Sequence, residues 1–217
     1  EGTFSIEGAK GAVDSIFFHW YTGDHYNAID LISKVDNEIE EALDEYKAFK
    51  GQVNQKDIIV LKTEIGSSNA LKSTSLAINK YHPSELISIG TSGGHHTGVK
   101  RGDIIISKRI INYDMSGTPP LYPNKQYINK YLDIPNSQLG TILTSDTWHK
   151  TKQEITKLHE ETGSDVEEME SYISCSLADE RAIEYVAIRI LSNNEMNDEN
   201  YIRETGITLQ EELLKIL

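Results

Sequence analysis

Three acidic residues surround a single methionine in the run Glu167-Glu168-Met169-Glu170-Ser171. Carboxylates accept hydrogen bonds from hydroxyl groups, and a methionine side chain packs well against a ring. These residue types therefore predict a small-molecule clamp in which the acids hold hydroxyls and Met169 lies against the ligand. A negatively charged first turn of a helix would account for the same residues, because acids stabilise the positive amino end of a helix.

A glycine-rich run, GTSGG, occupies residues 90–94. It matches neither the phosphate-binding P-loop nor the GxGxxG pattern. One interpretation is a tight turn where a strand meets a loop. The other is that Gly93 and its neighbouring glycines let backbone N–H groups approach a ligand, with the hydroxyls of Thr91 and Ser92 beside them. The run alone does not decide between the two.

Trp148 and the pair Asn193-Asn194 come at the ends of strand-like segments. A tryptophan is most often a core residue, but it also offers a flat surface on which a base can stack. Two successive asparagines commonly form a turn through local hydrogen bonds. Asparagine can also read the edge of a heterocycle, since it carries both a donor and an acceptor. For Trp148 and for the two asparagines, the structural and the ligand-binding interpretations both stay open at this point.

Metal and covalent chemistry find little support in the sequence. His95 and His96 are adjacent, so in a strand they would point in opposite directions, and no other His or Cys follows at ligand spacing. We therefore expect no metal site. No GxSxG motif is present, and Cys175 is not in the context of a nucleophile. We expect neither a metal nor an organic cofactor.

The composition limits the partners. With 21 basic and 34 acidic residues the net charge is −13, which predicts that the protein does not bind nucleic acid. No apolar run approaches the roughly 18 residues that span a bilayer, so we expect no membrane partner. A single cysteine excludes an intramolecular disulfide, which favours a cytoplasmic location. A length of 217 residues favours one domain over residues 1–217.

Apolar periodicity predicts a scaffold in which strands and helices alternate. Strands are predicted at residues 3–9, 57–66, 86–94, 102–112, 139–148 and 184–195. Helices are predicted at residues 27–46, 67–81, 150–163 and 207–217, with a further helix opening just after Met169 and a proline-rich loop at residues 116–124. Helix 27–46 rests on the 3–4 spacing of Ile39, Leu43 and Tyr46.

This alternation predicts an α/β layered fold with helices on both faces of the sheet. Runs such as DIIVL and DIIIS are apolar at consecutive positions, as in strands that are buried on both faces. In such folds ligands bind at the carboxyl ends of the strands. The glycine-rich run, Trp148 and Asn193 are all expected at that edge.

Six segments in chain order resemble the nucleoside phosphorylase and nucleosidase superfamily, and within it the methylthioadenosine/S-adenosylhomocysteine nucleosidase branch. They are DIIVLKTEIGSSNA, ISIGTSGG, GDIIIS, TILTSDTW, DVEEMES and VAIRILSNNE, which together cover roughly residues 57–195. The resemblance implies a three-layer α/β/α sandwich around a mixed, partly barrel-like sheet. It also implies a homodimer or a larger homo-oligomer with a small-molecule nucleoside as its substrate.

The resemblance implies a role for each candidate residue. Glu170 would accept hydrogen bonds from the ribose hydroxyls, with Glu168 in the same sugar-binding run and Met169 packed against the sugar. Residues 91–93 would line the site. On the base side, Trp148 would stack on the purine, while Ser192 and Asn193 would meet its N7 edge.

The implied reaction is hydrolysis of the N-glycosidic bond of a purine nucleoside of the adenine type, including 5′-thio-modified ones. Breaking this bond builds positive charge on the ribose and negative charge on the base, which a carboxylate and a hydrogen-bond donor respectively stabilise. Purine phosphorylases of this superfamily carry an arginine where this chain has Ser88, which favours water as the acceptor. The alternatives are a phosphorylase that recruits phosphate through other groups, such as Lys62, Lys100 or backbone N–H groups, and a non-catalytic nucleoside-binding or storage protein.

Two positions depart from the family pattern. The family's general acid is an aspartate, and Asn193 stands in its place. An amide can bond N7 but cannot deliver a proton, so a factor of roughly 10²–10⁴ in rate would be lost. The family also places a water-activating glutamate just after its first strand. Asp14 is the nearest acid to that position, and it is assigned that role here.

Overall fold

The computed structural model describes residues 15–19, 36–53 and 56–216 of the chain, in which nine strands and five α-helices occur. The strands are β1 (Ser15–His19), β2 (Asp36–Leu43), β3 (Tyr46–Val53), β4 (Lys56–Lys62), β5 (Glu85–Gly94), β6 (Ile104–Asn112), β7 (Ser137–Thr144), β8 (Val166–Glu168) and β9 (Glu184–Asn193). The helices are α1 (Ser67–Tyr81), α2 (Lys125–Asn129), α3 (Lys152–Thr162), α4 (Ser171–Asp179) and α5 (Arg203–Ile216), and a 3₁₀ turn spans Glu195–Asn197.

The sheet is mixed, and part of it closes on itself. Its strand order is β2-β3-β4-β1-β5-β8-β7-β6-β9, and β9 also pairs with β5, which closes β5, β8, β7, β6 and β9 into a barrel. One edge of β5 pairs with β1 in its first half and with β8 at its end. The other edge pairs in parallel with β9 from Glu85 to Gly93. The end of β5 is therefore the point where the barrel and the open part of the sheet meet.

Alternate residues of the strands face two hydrophobic layers. Leu86 of β5 and Ala187 of β9 pack with helices α1 and α4, which contribute Ile78 and Cys175. The next residues along the same strands, such as Ile87, belong to a second cluster that includes residues of α2 and α5. Burying apolar side chains on both faces of a sheet requires helices on both sides. The predicted α/β sandwich with a partly barrel-like sheet is confirmed.

The predicted helix at residues 27–46 is wrong where it can be compared with the structure. Residues 36–43 and 46–53 form the antiparallel pair β2–β3, whereas residues 27–35 and the predicted strand 3–9 lie outside the described residues. Leu43 and Tyr46 are buried partners across the two-residue turn Asp44-Glu45. An apolar pair three positions apart is thus produced by a hairpin here, although the same spacing is typical of a helix face.

The other predicted elements are present with shifted ends. The strand predicted to reach Trp148 ends at Thr144, which places Trp148 in the following loop. The closing helix begins at Arg203 instead of residue 207. Strands β1 and β8 were not predicted. In the part of the chain that the structure describes, no helix has both the length and the apolar character needed to cross a bilayer.

Candidate active site

A cavity of about 400 Å³ opens at the carboxyl ends of β5, β7 and β9, beside β8. Its volume lies in the range of small-molecule sites. Nine of the ten predicted site residues line it: Thr91, Ser92, Gly93, Trp148, Glu168, Met169, Glu170, Ser192 and Asn193. The tenth, Asp14, lies outside the described residues, so its role stays a prediction.

The glycine-rich run forms the end of β5, and Gly93 lies between two polar side chains. It pairs with Glu167 of β8 on one side and with Asn193 of β9 on the other. A Cβ atom at Gly93 would come within 3.3 Å of Asn193 Nδ2, and one at Gly94 within 2.6 Å of Asn194 Nδ2. The close approach of Asn194 therefore requires glycine at position 94, and a side chain at position 93 would crowd Asn193.

Glu168 is the centre of a buried polar network. Its carboxylate accepts hydrogen bonds from Thr144 Oγ1, from the backbone N–H groups of Glu170 and Ser171, and from Arg189 Nη2 at 2.6 Å. Burial raises the pKa of Glu168, but the Arg189 guanidinium and the hydrogen bonds outweigh it, so that the pKa lies below its usual range. Glu168 is therefore ionised and bound to the protein itself, although it lines the cavity.

Arg189 is as deeply buried as its partner. Only 1% of its surface is exposed, and each of its five N–H groups has an acceptor: Glu168 twice, the Ser88 carbonyl, the Ser88 hydroxyl and the Ile188 carbonyl. Sequence reasoning missed this residue, because an arginine inside a predicted strand gave no indication of its partner. Its guanidinium has no donor left for an anion in the cavity.

Glu170 has a different environment. It is half-buried at the cavity wall and accepts hydrogen bonds from Gly66 N at 2.9 Å and Met169 N at 3.3 Å. Gly66 has a φ of 94°, a conformation that favours glycine. Burial, and then the nearby charge of Glu168, raise the pKa of Glu170 to about 7. Glu170 can therefore exchange a proton near neutral pH, whereas Glu168 cannot.

On the opposite wall, β9 ends in the buried residues Ser192 and Asn193. The Ser192 hydroxyl donates to Asn193 Oδ1 at 2.8 Å. Asn193 Nδ2 donates to both carboxylate oxygens of Glu195, at 3.0 and 3.1 Å. The buried hydroxyl of Ser92 has no hydrogen-bond partner among the described residues, so it is available to a ligand.

Aromatic rings form the outer rim of the cavity. Trp148 and Tyr201 meet edge to face with their centroids 5.1 Å apart, and they are 41% and 40% exposed. An indole at a cavity mouth with this much free surface offers an area for stacking. Tyr201 and the exposed Arg203 also line the cavity and were not predicted.

Glu167 belongs to the acidic run and was not predicted as a site residue, yet it also lines the cavity. Its carboxylate contacts His149 Nδ1 at 2.8 Å and lies 3.5 Å from Nε2 of the buried His95. Within the described part of the chain, no three His, Cys, Asp or Glu side chains are arranged to hold a metal ion. The backbone N–H and the ring of His149 hold the Glu167 carboxylate by hydrogen bonds.

Comparison with known proteins places this chain in a family. The model of the phosphorylase superfamily matches residues 21–217. The chain belongs to that superfamily. The 5′-methylthioadenosine/S-adenosylhomocysteine nucleosidase of Hydrogenovibrio crunogenus is 32% identical over 132 residues, which are 59% of this chain and 55% of that relative. The chain thus spans little more than half the length of this curated relative.

Solved structures of the superfamily share the fold. The nucleosidase of the same name from Campylobacter jejuni has a TM-score of 0.82 at 15% identity, covering 95% of this chain and 96% of its own. The one from Colwellia psychrerythraea, solved in complex with adenine, has a TM-score of 0.77 at 17% identity, covering 95% and 91%. At this level of identity the likeness establishes the fold of the superfamily.

Proposed function

We propose that this chain is a purine nucleosidase that hydrolyses the N-glycosidic bond of an adenine-type nucleoside, including 5′-thio-modified ones. The observation that carries the proposal is that Glu170, Asn193 and Trp148, from three distant segments, line one cavity of nucleoside size. The names of the relatives, nucleosidases of methylthioadenosine and S-adenosylhomocysteine, support the same reaction. The adenine in the Colwellia protein supports the choice of base.

The proposed mechanism is dissociative and uses the two walls for opposite charges. Glu170 accepts hydrogen bonds from the ribose hydroxyls, which favours its ionised form and stabilises the positive charge that develops on the sugar. Met169 packs against the sugar, and Trp148 stacks on the base. Asn193 donates an N–H to N7 and stabilises the departing base. Water then attacks the anomeric carbon, and the proton that the water loses neutralises the departing base.

The environment of the buried Arg189 side chain supports water, and not phosphate, as the acceptor. Ser88, in the position of the phosphorylase arginine, is itself buried and bonded to Arg189, whose donors are all used. Lys62 forms an ion pair with Glu64 at 3.2 Å. Among the described residues that line the cavity, Arg203 is the basic one, and it is a candidate phosphate ligand for a phosphorylase.

A non-catalytic nucleoside-binding protein is the second candidate, because Asn193 cannot act as a general acid. In either case we propose a single domain that assembles as a homodimer or larger homo-oligomer, as the family resemblance implies. The buried free thiol of Cys175 supports a cytoplasmic location.

The decisive experiment is base release from methylthioadenosine, S-adenosylhomocysteine, adenosine and inosine, each with and without phosphate, followed by chromatography. A nucleosidase gives free base without phosphate, and Glu170→Ala should reduce turnover by about 10²–10³-fold, as removal of a transition-state contact does. Base release only with phosphate would make the chain a phosphorylase. Tight binding without release of any base would support the binding protein.

A further inference from the structure

Glu195 lies outside the cavity wall but contacts the residue that faces the base. Both of its carboxylate oxygens lie 3.0–3.1 Å from Asn193 Nδ2, while the other end of the same carboxamide accepts the Ser192 hydroxyl at 2.8 Å. An ionised carboxylate can only accept hydrogen bonds. The nitrogen of the Asn193 side chain must therefore face Glu195, because the flipped carboxamide would place its oxygen against a negative charge.

This orientation decides what Asn193 offers to a ligand. The amide nitrogen carries two hydrogens, and Glu195 engages one side of it. The same nitrogen lies 3.3 Å from the position that a Cβ atom would take on Gly93, and both residues line the cavity. The two N–H bonds of an amide diverge, so the one that Glu195 does not engage is left for a ligand beside Gly93. With the opposite orientation, the cavity would meet a carbonyl oxygen instead.

The position of Glu195 is itself well defined. The preceding residue, Asn194, is fully buried and donates from Nδ2 to the carbonyls of His96 and Val99. Its backbone exchanges two hydrogen bonds with Glu199. Glu195 begins the 3₁₀ turn that this anchor supports, so its carboxylate is held beside Asn193.

We propose that Glu195 is a positioning residue: it fixes the Asn193 carboxamide so that an N–H faces the cavity, and it thereby selects a base with an unprotonated ring nitrogen at that edge. The identity of this nitrogen as purine N7 rests on the proposed function. Glu195 acts through Asn193 and does not touch the base. Its role is to set the direction of a hydrogen bond.

The test compares the binding of free adenine and 7-deazaadenine, which has a C–H in place of N7, by titration calorimetry. Wild-type protein should bind adenine about tenfold more tightly, the contribution of one buried hydrogen bond. In Glu195→Ala this ratio should fall toward one. Glu195→Gln keeps an acceptor oxygen, and its ratio should stay within about threefold of wild type.

Asp198→Asn is the matched control. It removes the same charge from the same turn, its side chain is 84% exposed, and its contact is with Lys152. Its ratio should equal that of wild type. An unchanged ratio in Glu195→Ala would overturn the proposal. A loss in Glu195→Gln as large as that in Glu195→Ala would also overturn it, since charge rather than orientation would then be responsible.

Failure of the proposed function gives a different result, because the assay needs no turnover. If no nucleoside is hydrolysed but Glu195→Ala alone loses the preference for adenine, the positioning role stands and the nucleosidase does not. If wild-type protein fails to distinguish adenine from 7-deazaadenine, the positioning role is overturned whatever the rate of hydrolysis.

Discussion

The cavity has two walls with carboxylates in or beside them, and the two walls use these carboxylates in opposite ways. On the β8 side, Glu168 is ionised and paired with the buried Arg189, and burial together with the charge of Glu168 raises the pKa of Glu170. On the β9 side, the carboxylate of Glu195 stands behind an amide that faces the cavity. On the β8 side a carboxylate faces the cavity directly, whereas on the β9 side the carboxylate acts on the cavity through the amide of Asn193. Neighbouring groups decide the use of each acid, and the residue type alone does not.

The largest expected effect comes from removing the guanidinium that supports the first wall. Arg189→Met leaves the buried carboxylate of Glu168 without a counter-charge, which should lower the free energy of unfolding by about 3–5 kcal/mol. Urea denaturation at pH 7.5 measures it. The double variant Arg189→Met/Glu168→Leu should recover much of the loss, because no unpaired charge remains. Equal losses in both variants would contradict the ion-pair explanation.

A second prediction separates Glu170 from Glu168 by pH. The pKa of Glu170 is about 7 in the folded protein and close to 4.5 when unfolded, so the stabilisation it gives is present below pH 4.5 and is lost as the pH rises through 7. Relative to Glu170→Gln, wild type should lose about 3 kcal/mol of unfolding free energy between pH 4.5 and 8. Parallel stability curves for the two proteins would exclude this account.

Introducing an acid at position 193 should make the β9 wall resemble the β8 wall, because both would then have a carboxyl group at the cavity. In Asn193→Asp the new carboxyl lies beside Glu195, and two adjacent carboxylates cannot both ionise easily, so they share a proton. The resulting general acid should raise kcat for base release by about 10²-fold at pH 6, with the gain lost as the pH rises. A pH–rate profile with and without Glu195→Gln measures this. A gain that is independent of pH would count against proton sharing.

The smallest effect is expected at the rim, which is common to both walls. Trp148→Ala should raise KM about tenfold through lost stacking, with a smaller change in kcat. Trp148→Phe should keep most of the affinity, and Tyr201→Phe serves as a control that preserves the ring. Steady-state kinetics on the best substrate measures each constant. A change confined to kcat would show that the indole does not hold the base.

The rule that ligands bind at the carboxyl ends of the strands predicted most of the cavity. Consecutive apolar residues marked the buried strands, and the polar residues that follow these strands had to lie at one edge of the sheet. The rule did not predict the hairpin at β2–β3, where a pair of apolar residues across a turn has the spacing of a helix. Nor could it pair Glu168 with Arg189, which belong to different strands and are 21 positions apart. Such contacts depend on sheet order, and local pattern carries no information about it.

The role assigned to Asp14 stays a prediction, because neither Asp14 nor the predicted first strand lies among the described residues. It depended on a first strand at residues 3–9, whereas the first described strand begins at Ser15 and runs parallel to β4 and β5. Asp14 precedes this strand in the sequence, and Asp24 is the first acid after it. Comparing Asp14→Asn with Asp24→Asn in the base-release assay would decide which of the two matters for turnover.

The hydrogen bonds that hold the cavity together join residues far apart in the chain. Gly66 and Glu170 are 104 positions apart, Ser88 and Arg189 are 101, and Ser92 and Ser192 are 100. Contacts of such high order form late in folding, since large loops must close first. We therefore expect the cavity to form only when these loops have closed. A ligand that binds in the cavity should then stabilise the folded chain as a whole, so that the ligand-dependent rise in melting temperature measures global folding.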